Sequence, residues 1–241
     1  MSKTSKPIKS YNFKPTKDKL TIFPAKFKQS GNGEVSMHYN GCFICIQTHK
    51  MITPFGYSSG FGDRFDPHLN VNMDMSDKSQ QFLQGVENLE ELIILHAFEK
   101  RREWGFFHNS TEADQANLDD FRLRFRSSIR PSKDGRYPPT MKFAFETSGY
   151  KKGEKPHIVT TVKDSNNENT NAEDIQRRSQ IIIVTENPTI WISNKGSFGL
   201  NWKIETIKVY PPENYEPKNN NVSRPVIPTG QLLIAESDSE D

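Results

Sequence analysis

Hydrophobic and polar positions along this chain alternate with a period of two far more often than with the helical period. Residues 69–75 set Leu69, Val71, Met73 and Met75 against Asn70, Asn72 and Asp74, and residues 140–146 set Met141, Phe143 and Phe145 against Lys142. Both patterns predict half-buried strands. Residues 200–210 alternate as well, with Trp202, Ile204, Thr206 and Lys208 on one face and Lys203, Glu205, Ile207 and Val209 on the other. Apolar runs at 158–162, 179–184 and 189–193 predict further strands, the second of them fully buried. Residues 20–27 predict a first strand that Pro24 confines to an edge or a bend. At 41–47, Phe43, Cys45 and Gln47 lie on one face and Cys42, Ile44 and Ile46 on the other. Apolar groups on both faces predict a central strand covered from both sides.

One stretch follows the other period. From residue 77 to about 102, Phe82, Val86, Leu89, Ile93 and Ala97 recur at helical spacing, and Leu83, Leu92 and Ile94 widen the stripe. Ser76 is the predicted N-cap, Asp77 suits the positive end of the dipole, and Lys100, Arg101 and Arg102 suit the other end. Gly85 is the position where this helix could kink. Thr111 and Asp114 stand at capping-box spacing for a second, short segment. Residues 118–130 are ambiguous. Phe121, Leu123 and Phe125 alternate with Arg122, Arg124 and Arg126, which reads either as a strand with a triply basic face or as arginines solvated beside Asp119 and Asp120. Residues 131–139 form a Pro/Gly turn, 148–157 a Gly/Lys-rich connection, and 164–174 an acidic, Asn-rich loop expected to be mobile. Seven to nine strand candidates and one long helix predict a mainly β fold, a small β-barrel decorated by the helix and by long loops.

Composition sharpens this picture. Apolar residues make up 33% of the chain and the mean hydropathy is -0.76, so the core must be modest and the loops long and wet. No run approaches the ~18 apolar residues of a membrane span, and the basic start has no apolar run behind it. Neither a membrane nor secretion is therefore expected. The net charge is only +2, but residues 1–30 hold eight lysines against Asp18 alone, and the last six residues hold four acids. Opposed ends of this kind suggest polyanion binding with a built-in competitor. The expected organisation is a basic flexible arm at 1–19, one domain at 20–210, and a Pro/Asn-rich linker with an acidic tail at 211–241. Cys42 and Cys45 make neither a zinc site nor a disulfide framework by themselves, and are expected as two buried thiols.

Linear motifs for catalysis are absent from the sequence: no GxSxG, P-loop, HExxH, GxGxxG or EF-hand pattern occurs. Six histidines are scattered, and His96 reads as a structural, partly buried ring. Asp63, Asp66, Asp74 and Asp77 could hold a divalent ion for a nuclease only if the fold brings them together. Basic and aromatic residues, by contrast, are interleaved repeatedly. Lys50 precedes Phe55 and Tyr57, Arg64 lies between Phe61 and Phe65, and Arg136 adjoins Tyr137. Tyr150 precedes Lys151 and Lys152, Lys195 precedes Phe198 and Trp202, and Arg122, Arg124 and Arg126 add a basic face. Cations that take up phosphate charge and rings that stack on unpaired bases are what single-stranded nucleic-acid binding requires. The alternative, a virion or scaffold protein working through protein contacts, would pair these rings with each other or gather them in an apolar patch.

The residues that carry this pattern also resemble a known family. IQTHKMITPFG at 46–56, the helix, Trp104 with Gly105-Phe106-Phe107, DGRYPPTMKF at 134–143 and the ending from Gly196 to Val209 are similar to single-stranded DNA-binding proteins of nucleocytoplasmic large DNA viruses. Those are described as akin to the T7-like phage proteins. The resemblance covers about 20–210, with the tail matching by charge alone. It implies an OB-fold with a long inserted helix, no cofactor, and non-catalytic coating of single-stranded DNA in viral replication, recombination and repair. It also implies a tail, here Glu236, Asp238, Glu240 and Asp241, that meets the viral DNA polymerase or other replication proteins, and homodimers as in the phage proteins. The corresponding location is the host-cell cytoplasm at viral factories, or the nucleus, with packaging in the virion as a further option. His49 stands where the family pattern leads one to expect a proline, and the 164–174 loop is longer than the fold requires.

Overall fold

The structure is a computed structural model, and it describes residues 6–61, 65–107, 110–149 and 156–212. Its centre is an antiparallel pair, Gln180–Glu186 against Lys203–Tyr210, with a register shift between Val184 and Thr185. Ile181 and Ile183 on one strand and Ile204, Ile207 and Val209 on the other enter the hydrophobic core. The sheet built outward from this pair runs Ile8–Lys9, Cys45–Gln47, Gln180–Glu186, Lys203–Tyr210, Thr140–Phe145, His68–Asn72 and Tyr57–Ser58. Met51–Ile52, Ile129–Arg130 and Thr161–Lys163 pair alongside this path. A second sheet orders Phe125–Arg126, Phe198–Asn201, Thr189–Ile192, Gly33–Val35 and Lys26–Phe27, and two smaller sheets complete a mixed α/β architecture.

The expected OB-like barrel is not formed. Closure requires the two end strands of a sheet to pair with each other at a fixed stagger. Here, among the described residues, Ile8–Lys9 pairs only with Cys45–Gln47, and Tyr57–Ser58 only with His68–Asn72. The Thr140–Phe145 strand meets the central pair at just two positions, Ala144↔Lys203 and Phe145↔Ile204. The sheet opens there and Thr161–Lys163 occupies the rest of that edge. Alternation places residues on faces but does not say which edges meet.

The long helix spans Asp77–Glu99. The Ser76 hydroxyl accepts from the Ser79 N–H at 3.4 Å, as a cap should. Phe82, Val86, Leu89, Ile93 and Ala97 are all fully buried. Gly85 lies within one uninterrupted helix. It is the contact point of the N-terminal turn, because a Cβ there would collide with the Phe13 carbonyl. Residues 8–13, expected in a free arm, are instead part of the domain: Ile8 pairs with Ile46 and Phe13 is fully buried.

Three local expectations change with the backbone. The 41–47 run is two strands, Cys42–Phe43 against Met37–Tyr39 and Cys45–Gln47 in the main sheet, so Cys42 and Phe43 are exposed while Cys45 is buried. The 118–130 segment is a helix, Leu118–Arg122, followed by short strands at Phe125–Arg126 and Ile129–Arg130. Asn117 caps it by accepting from the Asp120 N–H at 2.9 Å, and Phe121 then packs edge-on against Phe106 in the aromatic cluster with Phe198. The 164–174 loop is hydrogen-bonded within itself. Asp164 accepts from the N–H groups of Asn166 and Glu168, and Ala172 and Ile175 are buried.

Candidate nucleic-acid interface

Two distant stretches of backbone are laced together at one end of the central strands. The Thr53 N–H donates to the Ser179 carbonyl at 3.0 Å, the Arg178 N–H to Thr53 at 2.8 Å, and the Tyr57 N–H to Ile175 at 3.0 Å. Gly56 sits between these bonds at φ +70°, where an added Cβ would lie 2.5 Å from the Ile175 oxygen and 2.9 Å from the Arg177 nitrogen. Only glycine satisfies both the dihedral and the clearance. The turn therefore presses flat against 175–178 and its Phe55 ring, 60% exposed, projects into the same groove as Arg177 and Arg178. Arg178 itself holds φ +63°, a left-handed backbone that non-glycine residues seldom adopt.

Another side of this groove comes from Ile129–Arg130 and the turn after it. Arg130 and Asn72 both pair with Thr140, which sets all three on one face of the sheet, and Pro131, Tyr137 and Pro138 follow. Tyr137 is 73% exposed. The approach to Arg130 is anchored from below. Buried Glu90 on the long helix accepts from the Ser127 hydroxyl and the Ser128 N–H, both at 2.7 Å, and the Trp202 indole donates to the Ser128 hydroxyl at 2.9 Å. Burial raises the Glu90 carboxyl, against the pull of those serine hydrogen bonds.

The groove has a volume of about 680 Å³ and none of its described lining residues is acidic. Three arginines face it in a chain whose whole net charge is only +2. The opposite end of the same two central strands has the reverse character: Glu34, Glu146, Glu186 and Glu205 line one pocket with Lys203. Burial raises the Glu205 carboxyl, with Glu186 and Glu146 adding to it. Gln180 lies at the arginine end and Glu186 at the glutamate end, about 20 Å apart at strand rise. The described lining residues at the two ends of these strands therefore differ in sign, arginines at one and mostly glutamates at the other.

Of the residues singled out in the sequence, Phe55 and Tyr137 line the groove, and Arg136 adjoins it, exposed and 3.5 Å from Asp134. Lys50 is exposed, with its ammonium 4.3 Å from the centre of the Tyr210 ring. Tyr57 is half-buried on Phe145, its phenol pushed up by burial and then by Glu173. Phe61 is 96% exposed outside the groove and Phe65 is half-buried. Arg122, Arg124 and Arg126 do not form the expected basic face, because the segment is not one strand: Arg122 ends a helix, Arg124 lies in the turn after it and Arg126 on a short strand. Arg122 is forked onto Glu91, whose carboxyl it lowers, and Arg124 lies over Phe107 and donates to the Phe106 carbonyl at 3.3 Å. Arg126 is exposed on an end strand of the second sheet, and Lys195 is exposed in the turn after Thr189–Ile192. Arg64, Tyr150, Lys151, Lys152 and the tail acids Glu236, Asp238, Glu240 and Asp241 lie outside the described residues.

Arg130, Arg177 and Arg178 were not singled out. The Arg177-Arg178 pair directly ahead of the most apolar strand was the available signal. The aspartates of the nuclease alternative are employed separately. Asp66 takes the Lys142 ammonium at 2.6 Å, Asp74 accepts from the Ser76 N–H at 3.0 Å, and Asp63 lies outside the described residues. Among the described residues no group of three or more His, Cys, Asp or Glu is placed to hold a metal ion.

No protein-family model matches the chain, and no curated protein does. Among solved structures, gp2.5, a single-stranded DNA-binding protein encoded by bacteriophage T7, is similar over 78% of this chain and 100% of its own, at 12% identity and a TM-score of 0.46.

Proposed function

We propose that this chain binds single-stranded DNA without sequence preference, with phosphates along Arg130, Arg177 and Arg178 and unpaired bases against Phe55 and Tyr137. The observation that carries this reading is the meeting of three arginines and two exposed rings in one groove free of described carboxylates. Each arginine that neutralises a phosphate releases counterions, and each ring offers a face on which any base can stack. In this reading the protein is a non-catalytic coat for exposed strands during replication and recombination. The acidic segment at 236–241 competes for the groove and then serves partner proteins.

Fluorescence anisotropy with labelled oligo-dT at two salt concentrations tests it. Binding is expected at low salt and should weaken steeply as salt rises. Phe55→Ala and Tyr137→Ala should each cost about 1–3 kcal/mol of stacking. Each arginine-to-alanine change should flatten the logarithmic salt slope by about 0.7. Removing the 236–241 segment should tighten binding. Absence of binding at low salt, or groove variants that bind like the parent, would remove the proposal; in the second case the protein-contact alternative takes its place.

A further inference from the structure

We infer that the strand held in the arginine groove leaves it along one lane of the central sheet, over Ile52 and Gln180 to Tyr210, where Lys50 receives a phosphate. This rests on the groove being a single-stranded nucleic-acid site, and adds an exit path to it.

The lane follows from strand register. Ile52, which lines the groove, pairs with Gln180, and Gln180 pairs with Tyr210. Paired residues share a face, so these three side chains stand in a row across two strand spacings, about 10 Å. Ile52 and Gln180 are exposed and Tyr210 is half-buried. Two residues back along the same face, Lys208 pairs with Lys163. No residue named in this lane is acidic.

Lys50 reaches the lane because its strand is interrupted there. Between Cys45–Gln47 and Met51–Ile52, both paired to Gln180–Glu186, Thr48 keeps contact through its N–H to the Ile183 carbonyl at 2.8 Å. Its hydroxyl accepts from the Ile183 N–H at 2.9 Å. His49 turns the other way, hydrogen-bonded to Ser10 at 3.1 Å and to Ser79 at 2.8 Å. An irregularity of this kind re-aims the next side chain, and Lys50 comes to rest with its ammonium 4.3 Å from the centre of the Tyr210 ring. The Lys208 ammonium lies 5.5 Å from the same centre. Lys208 is buried, so the exposed ammonium at the end of the lane is that of Lys50, held there by the ring face. A lysine already held by a ring also loses little side-chain freedom when it binds.

The test is anisotropy with an oligo-dT ladder, from the shortest length that binds upward, on the full chain, on Lys50→Ala, on Lys50→Arg and on an Arg177→Ala/Arg178→Ala double variant. Lys50→Ala is expected to match the parent on the shortest oligonucleotides and to bind the longer ones several-fold more weakly. Its salt slope should be flatter by about 0.7 on the longer ones only, and Lys50→Arg should restore parental behaviour. A Lys50→Ala protein that equals the parent at every length, or is weaker by the same factor at every length, overturns the lane. If the double arginine variant binds like the parent, the groove reading fails and the lane goes with it. If the double variant fails to bind while Lys50→Ala is unchanged, the groove stands and only the lane is lost.

Discussion

The Gly56 backbone lies against Ile175 so closely that the smallest side chain at 56 would meet the Ile175 carbonyl oxygen at 2.5 Å. That contact joins the turn bearing Phe55 to the segment bearing Arg177 and Arg178. Gly56→Ala should therefore disturb both stability and binding. The collision costs about 1–3 kcal/mol, and the left-handed dihedral adds about 1 kcal/mol. A lowered urea midpoint together with weakened oligo-dT binding is the expected result. A variant with parental values of both would show that the two segments are not rigidly coupled.

Arg178 permits the opposite separation. Its φ of +63° is strained for arginine and relaxed for glycine, so Arg178→Gly removes a groove charge without a cost in backbone geometry. Thermal stability should be maintained or rise, while affinity for oligo-dT falls and its salt slope flattens. Stability lost in step with affinity would mean that the arginine's role is structural.

At Gly85, helix propensity and packing pull in opposite directions. Alanine at a helix-interior position gains about 1 kcal/mol over glycine. Here, however, its Cβ collides with the Phe13 carbonyl, and shifting packed backbone costs about 1–3 kcal/mol. Gly85→Ala should lower the melting temperature, whereas Phe13→Ala should lower it by more, since it empties a fully buried aromatic site. A stabilised Gly85→Ala protein would show that the N-terminal turn does not press on the helix.

His49 sets an acid limit on stability. Burial lowers its pKa to about 4, with Asp74 opposing that shift and Lys78 adding to it. The unfolded chain titrates near 6.5. Between those values the unfolded state binds the extra proton, so stability is full above about pH 6.5 and is lost as pH falls toward 4. Partial exposure of the ring holds the effect to about 2 kcal/mol or less. Urea midpoints measured from pH 7 to pH 4 should fall less in His49→Gln than in the parent. Parallel profiles would exclude His49 as the cause.

The two cysteines should react at different stages. Cys42 is exposed, whereas Cys45 is buried and its thiol is pushed up to about 12, first by burial and then by Glu186. A thiol reagent at mildly alkaline pH should modify one group in the folded protein and two in denaturant. Rapid modification of both in the native state would place Cys45 nearer the surface.

Much of the local structure was legible because it depends on neighbours in the chain. Ser76 followed by a stripe at 82, 86, 89, 93 and 97 sufficed for the helix, and alternation sufficed for the strands at Thr140–Phe145 and Lys203–Tyr210. Large rings in Pro/Gly turns have little core to enter, which marks Phe55 and Tyr137 in the sequence but marks Tyr57, Phe61, Phe65 and Tyr150 equally. The ambiguity at 118–130 has a local resolution: Asn117 and Asp120 form a cap, and a capped turn takes precedence over a three-step alternation.

Single-chain patterning settles which residues face the same way within an element, since that follows from the pitch of a helix or the pleat of a strand. It therefore determined the long helix and the faces of the longer strands. Tertiary structure decided the rest. The sheet stays open because its two end strands pair with different neighbours and not with each other. Arg130, Arg177 and Arg178 join Phe55 and Tyr137 because Met51–Ile52 pairs with a strand that lies more than a hundred residues later. Contacts over that separation are chosen by the packing of the whole chain, which no local period encodes.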